Sequence, residues 1–170
     1  LINARSETVT EKPSFRHAFR KRRCLIPASG FYEWAKEEGQ KQPYFIRLKN
    51  GSPMAFAGLW EEWTSTKGET RRTCAILTIA ANSLMQEIHH RMPVILTPSS
   101  GAMWLDNPVG RSSPEKLLLP FSADKMEAWR VSHKVSVPAF DNPDCFRKLE
   151  KAEAAEKKPE PPETQASLFD

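Results

Sequence analysis

Three strand-length segments follow one another in the first half of this chain: PYFIRLK at 43–49, MAFAGLWEEW at 54–63 and TCAILTIAA at 73–81. Their aromatic and β-branched content reads as strand. Asn50-Gly51 is a turn signal between the first two, and a polar loop at 64–72 separates the second from the third. This is not the strand–helix alternation of a parallel α/β sheet. Further short strands are expected at 24–26, 31–34, 94–96 and 130–137, with a break at 27–30. Short helices fit 14–23, 83–91 and the stretch from 101, and 114–119 and 123–129 read as helical or irregular. The fold class that follows is α+β, with a central, mostly antiparallel, barrel-like sheet and short peripheral helices.

A chain of 170 residues is long enough for one domain with a real core. That domain is expected over 1–146. From about 147 the composition turns to Lys, Glu, Ala and Pro, a charged tail with too little apolar content to fold. Net charge is +4 overall and +6 over the first 150 residues. Much of the excess sits in the run Arg16-His-Ala-Phe-Arg-Lys-Arg-Arg23, which suits a phosphate backbone and equally suits a solvated helix face. Cys24, Cys74 and Cys145 are odd in number and widely spaced, which argues against a disulfide framework and for the cytoplasm. With no C-x-x-C pair and with His89 and His90 adjacent, no metal site and no cofactor are expected. No run is apolar and long enough to span a membrane as a helix.

The chemistry concentrates in SLMQEIHHRMPVIL at 83–96. Ser83 and Gln86 form an S-x-x-Q capping box, and Leu84, Met85 and Ile88 recur at helical spacing. On such a helix His89 falls at the edge of the apolar face and His90 nearly opposite its centre, so His89 faces a cleft and His90 faces water. A histidine in the last turn meets the negative end of the helix dipole, which favours imidazolium and proton donation. A C-capping histidine with no chemistry fits the same pattern. In the strand at 31–34, Glu33 shares a face with Phe31 while Tyr32 and Trp34 take the other. Flanking aromatics are expected to desolvate Glu33 and raise its pKa, which suits proton shuttling; a structural glutamate paired with an arginine is the other reading. Asn3 and Arg5 share a face if their segment is extended, Arg5 to grip a phosphate and Asn3 to orient a reacting group. Thr78, near the end of its strand, is either a phosphate contact or an ordinary strand threonine. Glu61 and Glu62 are adjacent on a strand, face opposite ways and do not form an acid–base pair.

NARSET at 3–8, GFYEW at 30–34, AGLWEEW at 57–63 and LTIAAN at 77–82 with IHHRMPVIL at 88–96, in that order, resemble the SOS response-associated peptidase (SRAP) family. The resemblance covers roughly residues 1–146. It implies a DNA-damage protein that binds single-stranded DNA and links covalently to abasic sites. The linkage is a thiazolidine made by an N-terminal cysteine, and autoproteolytic activity is implied for longer leaders. It also implies Asn3, Glu33 and His89 as site residues and Arg5, Thr78 and Arg91 as phosphate contacts. Helix 83–91 is expected to bring His89 near Glu33 and Asn3. Proton donation by His89 to the sugar ring oxygen and proton shuttling by Glu33 fit those roles. The chain begins almost at NARSET and has no cysteine near position 1, so it reads as an N-terminally truncated member that lacks cross-linking activity by itself. A smaller departure is Ser136, where the family usually has asparagine. A non-catalytic nucleic-acid-binding module and a peptidase acting on other proteins are the alternatives.

The chain ends QASLFD. Q-x-S-L-F resembles the peptide by which bacterial replication proteins dock on the sliding clamp. Gln165 is the polar anchor, and Leu168 and Phe169 fill an apolar pocket.

Overall fold

The computed structural model describes residues 1–106 and 113–150. The elements in chain order are β1 (Asn3–Arg5), α1 (Arg16–Lys21), β2 (Arg23–Ala28), β3 (Phe31–Glu37), β4 (Gln40–Leu48), β5 (Met54–Thr64), β6 (Thr70–Ala80), α2 (Ser83–Gln86), β7 (Arg91–Pro93), β8 (Ile95–Leu96), α3 (Pro98–Leu105) and β9 (Met126–Arg130). Single 3-10 turns occupy Pro114–Leu117, Ala123–Lys125, His133–Ser136 and Pro143–Phe146. The class is α+β with mostly antiparallel pairing, as the sequence indicates. The strands do not close into a barrel: they form two open sheets. The larger runs β1-β6-β5-β2, with β7 on β6 and β8 on β5; the smaller runs β3-β4-β9. β1 alone lies parallel to its neighbour.

Burial explains the layering. β5 and β6 send alternate residues into two cores. On one face Leu59, Ala75 and Leu77 meet Phe15 and Phe19 around α1 and Trp104 of α3. On the other, Met54, Phe56 and Met92 meet Phe31 and Ile46 of the small sheet and Met126 of β9. The large sheet is therefore a middle layer, between helices and a second sheet. Where β5 and β6 part, the chain at β7 and β8 fills the gap. The Val94 amide donates to Leu77 O, and Val94 O accepts from the Ala57 amide.

Several local expectations give way to pairing at a distance. The turn at Asn50-Gly51 forms, with Gly51 at φ 71°. The strands it joins do not make a hairpin, because β3 and β9 occupy both edges of β4. β2 runs through Pro27, which an edge strand tolerates because its missing N–H leaves no bond unmade. The strand expected at 130–137 ends at Arg130. The next position on β4 is Pro43, which has no N–H to give; the Gln42 side-chain amide takes Val131 O instead. Ser132 then caps the turn His133–Ser136 through Lys134 N.

Gly30 is required by a close approach between the turn that enters β3 and the neighbouring strand β4. A Cβ there would stand 2.4 Å from Phe45 Cζ and 2.5 Å from the Ile46 carbonyl oxygen. Because one obstacle is main chain, Gly30→Ala is expected to cost about 1–3 kcal/mol of stability, read as a lower urea midpoint.

Candidate functional site

The turn that carries His89 starts at Asn82, not at Ser83. Asn82 is extended, its side-chain oxygen accepts from Met85 N at 2.9 Å, and its amide nitrogen donates to Phe121 O at 2.6 Å. The helix expected over 83–91 stops at Gln86. Ile88 and His89 amides both return to Met85 O, which closes the last turn, and the chain then joins β6 as β7. Strand pairing of Arg91–Pro93 outcompetes helix continuation. His89 is thus outside any helix, and the dipole argument for its charge does not apply. The choice between neighbours survives on other grounds. The His89 side chain is 12 % exposed, whereas His90 is solvent-exposed.

His89 is seated by the main chain of Arg91. The Arg91 amide donates to His89 Nδ1 at 3.1 Å, and the Arg91 carbonyl lies 3.3 Å from the same nitrogen. A nitrogen that accepts an amide proton carries none itself, so the Arg91 amide favours the Nε2–H form of the neutral ring, while the Arg91 carbonyl beside it would accept only from Nδ1–H. Glu33 stands across from this edge, with Oε2 at 3.9 Å from Nδ1. Glu33 is fully buried; the alternation of β3 turns it inward with Phe31 and Ala35. Its Oε1 accepts from Trp34 N at 3.1 Å.

Arg91 ties this turn to the loop after β1. Its guanidinium donates to both Glu7 oxygens, at 3.1 and 2.9 Å, in the fork geometry suited to a carboxylate. Nε and Nη2 also reach the Thr78 hydroxyl, and Nη2 the Thr78 carbonyl at 2.7 Å. Thr78 is fully buried and Arg91 nearly so. Arg5 pairs with Thr78 and Asn3 with Ile76 in the parallel β1–β6 register. Ala4 is buried in the first core. Asn3 and Arg5 therefore share the opposite face, as the extended reading requires, with Arg5 exposed and Asn3 half-buried. The structure so gathers Glu33, His89, Arg91, Thr78 and Glu7, and the β1 register sets Arg5 opposite Thr78 and Asn3 opposite Ile76. Glu7 was not singled out in the sequence. The available signal was an acid inside a motif that also supplies two site residues. Gln165, Leu168 and Phe169 lie outside the described residues.

Burial raises the Glu7 carboxyl, but the Arg91 hydrogen bonds and charge outweigh it, so the pKa lies below the ordinary value. A carboxylate held below its unfolded value stabilises the fold above that value, and the contribution disappears as pH falls through the folded pKa. Between ~pH 5 and ~pH 3 the thermal midpoint should therefore fall. It should fall less in Glu7→Gln, a comparison made by calorimetry across that range.

A cleft of about 190 Å³ lies on the α1 side, lined by Phe15, Ala18, Leu59, Trp60 and Ala75 among others. None of the expected site residues lines it. Among the described residues, no group of three His, Cys, Asp or Glu side chains is placed to hold a metal ion, and no helix is long and apolar enough to cross a membrane.

Residues 1–138 match the family described as SOS response associated peptidase (SRAP). The chain is 46% identical over 149 residues to the abasic site processing protein YoqW of Bacillus subtilis, covering 86% of this chain and 66% of that protein. It is 32% identical to the abasic site processing protein HMCES of Gallus gallus, covering 87% of this chain and 50% of the relative. A crystal structure of a protein from Bacteroides thetaiotaomicron superposes with a TM-score of 0.82 at 34% identity, covering 87% of this chain and 66% of that one. The chain thus spans just under two thirds of YoqW and half of HMCES. The matched length, the identity and the shared fold together make this chain a member of the SRAP family.

Proposed function

We propose that this chain acts in the DNA-damage response by binding single-stranded DNA and processing abasic sites in it. The observation that carries the reading is Glu33, buried between the sheets and 3.9 Å from His89. The names of the relatives supply the substrate class. Capture is a condensation: the amine nitrogen and thiol sulfur of an N-terminal cysteine both bond to the sugar aldehyde carbon, whose oxygen leaves as water. Cys24, Cys74 and Cys145 are internal, and their nitrogens are amides.

The closed sugar must first open. His89 takes up a second proton, gives its Nε2 proton to the ring oxygen as the C1 hydroxyl loses its own to water, and so passes through an Nδ1–H form that faces the Arg91 carbonyl and Glu33 before the resting Nε2–H form returns. Glu33 takes a proton from the attacking amine and returns one as the hydroxyl departs. Asn3 holds the cysteine or sugar in register. Arg5 is the exposed phosphate contact. Thr78 acts by supporting Arg91 from beneath. The peptidase activity in the family's name is the same acid–base pair acting on a leader peptide. The protein works in the cytoplasm, on the nucleoid.

The test is single-stranded DNA with one abasic site, mixed with the protein including any residues its gene encodes ahead of Leu1. A heat-stable shift on a denaturing gel is the expected result. Salt-sensitive binding with no covalent product would replace the reading with a non-catalytic binding module, and cleavage of a peptide library without DNA would favour a peptidase on other proteins. The tail supports a partner as well: Gln165, Leu168 and Phe169 dock on the sliding clamp and keep the protein at the replication site. A labelled 160–170 peptide should bind purified clamp. Equal affinity after Leu168→Ala with Phe169→Ala would dispose of that partner.

A further inference from the structure

Glu7 and Arg91 are 84 residues apart in sequence and meet in a two-bond ion pair. The pair joins the loop after β1 to the turn that carries His89. Arg91 is a poor candidate for a loose surface charge. Its guanidinium is committed to Glu7 at one end and to Thr78 at the other, and its side chain is 9 % exposed. The main chain of the same residue supplies both the donor and the acceptor that face His89 Nδ1. The backbone of Arg91 is paired to β6, and a side chain locked at both ends adds a second hold where that pairing begins. That backbone is the seat of the imidazole.

We propose that Glu7 is a positioning residue, holding Arg91 so that the Arg91 main chain keeps the His89 ring in its Nε2–H form beside Glu33. Thr78 alone cannot do this. It holds Nε and Nη2 and leaves Nη1 to Glu7. With glutamine at position 7, one of the two acceptors becomes an amide nitrogen that faces the guanidinium donor to donor. Arg91 then turns, and the N–H to Nδ1 bond lengthens. The consequence for capture rests on the abasic-site reading; the seating of His89 does not.

The experiment has two arms. In the first, nitrogen-15 spectra of the histidine side chains are recorded for the full chain and for Glu7→Gln, at a pH where the rings are neutral. The unsubstituted protein should show His89 as one tautomer, protonated on Nε2. Glu7→Gln should show a mixture, with the minor tautomer increased roughly threefold or more as the Nδ1 bond is lost. Glu7→Asp keeps the charge, loses the reach and should fall between them. It serves also if Glu7→Gln does not fold. In the second arm, with the protein including any residues its gene encodes ahead of Leu1, the covalent rate at saturating abasic DNA should drop about tenfold in Glu7→Gln, with the dissociation constant within about twofold.

A His89 spectrum unchanged in either folded variant overturns the proposal. So does a variant that loses affinity while its rate holds, since Glu7 would then act on DNA binding. A tautomer change with no covalent product even from the unsubstituted protein leaves the positioning role standing and defeats the abasic-site reading instead.

Discussion

Glu33→Gln is expected to slow covalent capture of an abasic site by about 10²–10⁴-fold, the range typical for loss of a general acid–base group. The substitution keeps the shape of the side chain and the acceptor for Trp34 N. It removes the only atom pair in that position able to take and return a proton. Its effect on stability should be small, because the amide keeps the volume of the side chain and the acceptor for Trp34 N. The two measurements, single-turnover rate and thermal midpoint, therefore separate chemistry from packing. A slow rate with an unchanged or higher midpoint assigns Glu33 to proton transfer. A rate within twofold of the original returns it to the structural reading, a buried glutamate that only holds β3 in place.

Trp104→Ala should be the most damaging single change to the fold. Trp104 is fully buried at the centre of the helix-side core, edge-on to Phe19 at 5.7 Å, with the Arg23 guanidinium over its ring at 5.5 Å. Its indole N–H donates to Cys24 O at 3.0 Å. Truncation removes the ring and leaves a cavity, which together cost about 3–5 kcal/mol. It also strips the Cys24 carbonyl of that partner, on an edge strand that has pairing on one side. Against a total of about 5–15 kcal/mol for a typical domain this is a large fraction, so a much lower urea midpoint is expected. Trp104→Phe keeps most of the ring and removes the donor; a loss of about 1–2 kcal/mol would isolate the hydrogen bond from the cavity. Urea unfolding of both variants supplies the comparison. Equal losses would mean that the bond to Cys24, not the filled volume, dominates.

The sequence made some of this legible and hid the rest along a clear line. Period-two alternation placed Phe31 and Glu33 on one face and Tyr32 and Trp34 on the other, and the fold turns the first pair inward. β3 has that pattern because the rule is local to the strand. The same rule put Asn3 and Arg5 on one face. The capping pattern marked where a helix near residue 83 begins, within one residue of Asn82. The helix length was wrong, because whether residues 87–93 coil or extend is decided by a partner strand. The partner is β6, and the register of Arg91–Pro93 against Thr78–Ala80 makes the turn that seats His89. His89 was preferred to His90 for a helical reason that the fold does not use.

What the sequence by itself determined is the three long central strands and which residues on a strand share a face. These depend on neighbours one to four residues away. The sequence reads 123–129 as helical or irregular, where β9 runs Met126–Arg130. Only the tertiary structure decided that the strands divide into two open sheets, that Thr78 lies under Arg91 rather than at the surface, and that Glu7 grips Arg91 across 84 residues of chain. Ion pairs and strand registers between distant segments leave no periodic trace. Their energy comes from which surfaces exclude water together, and that is settled when the layers pack.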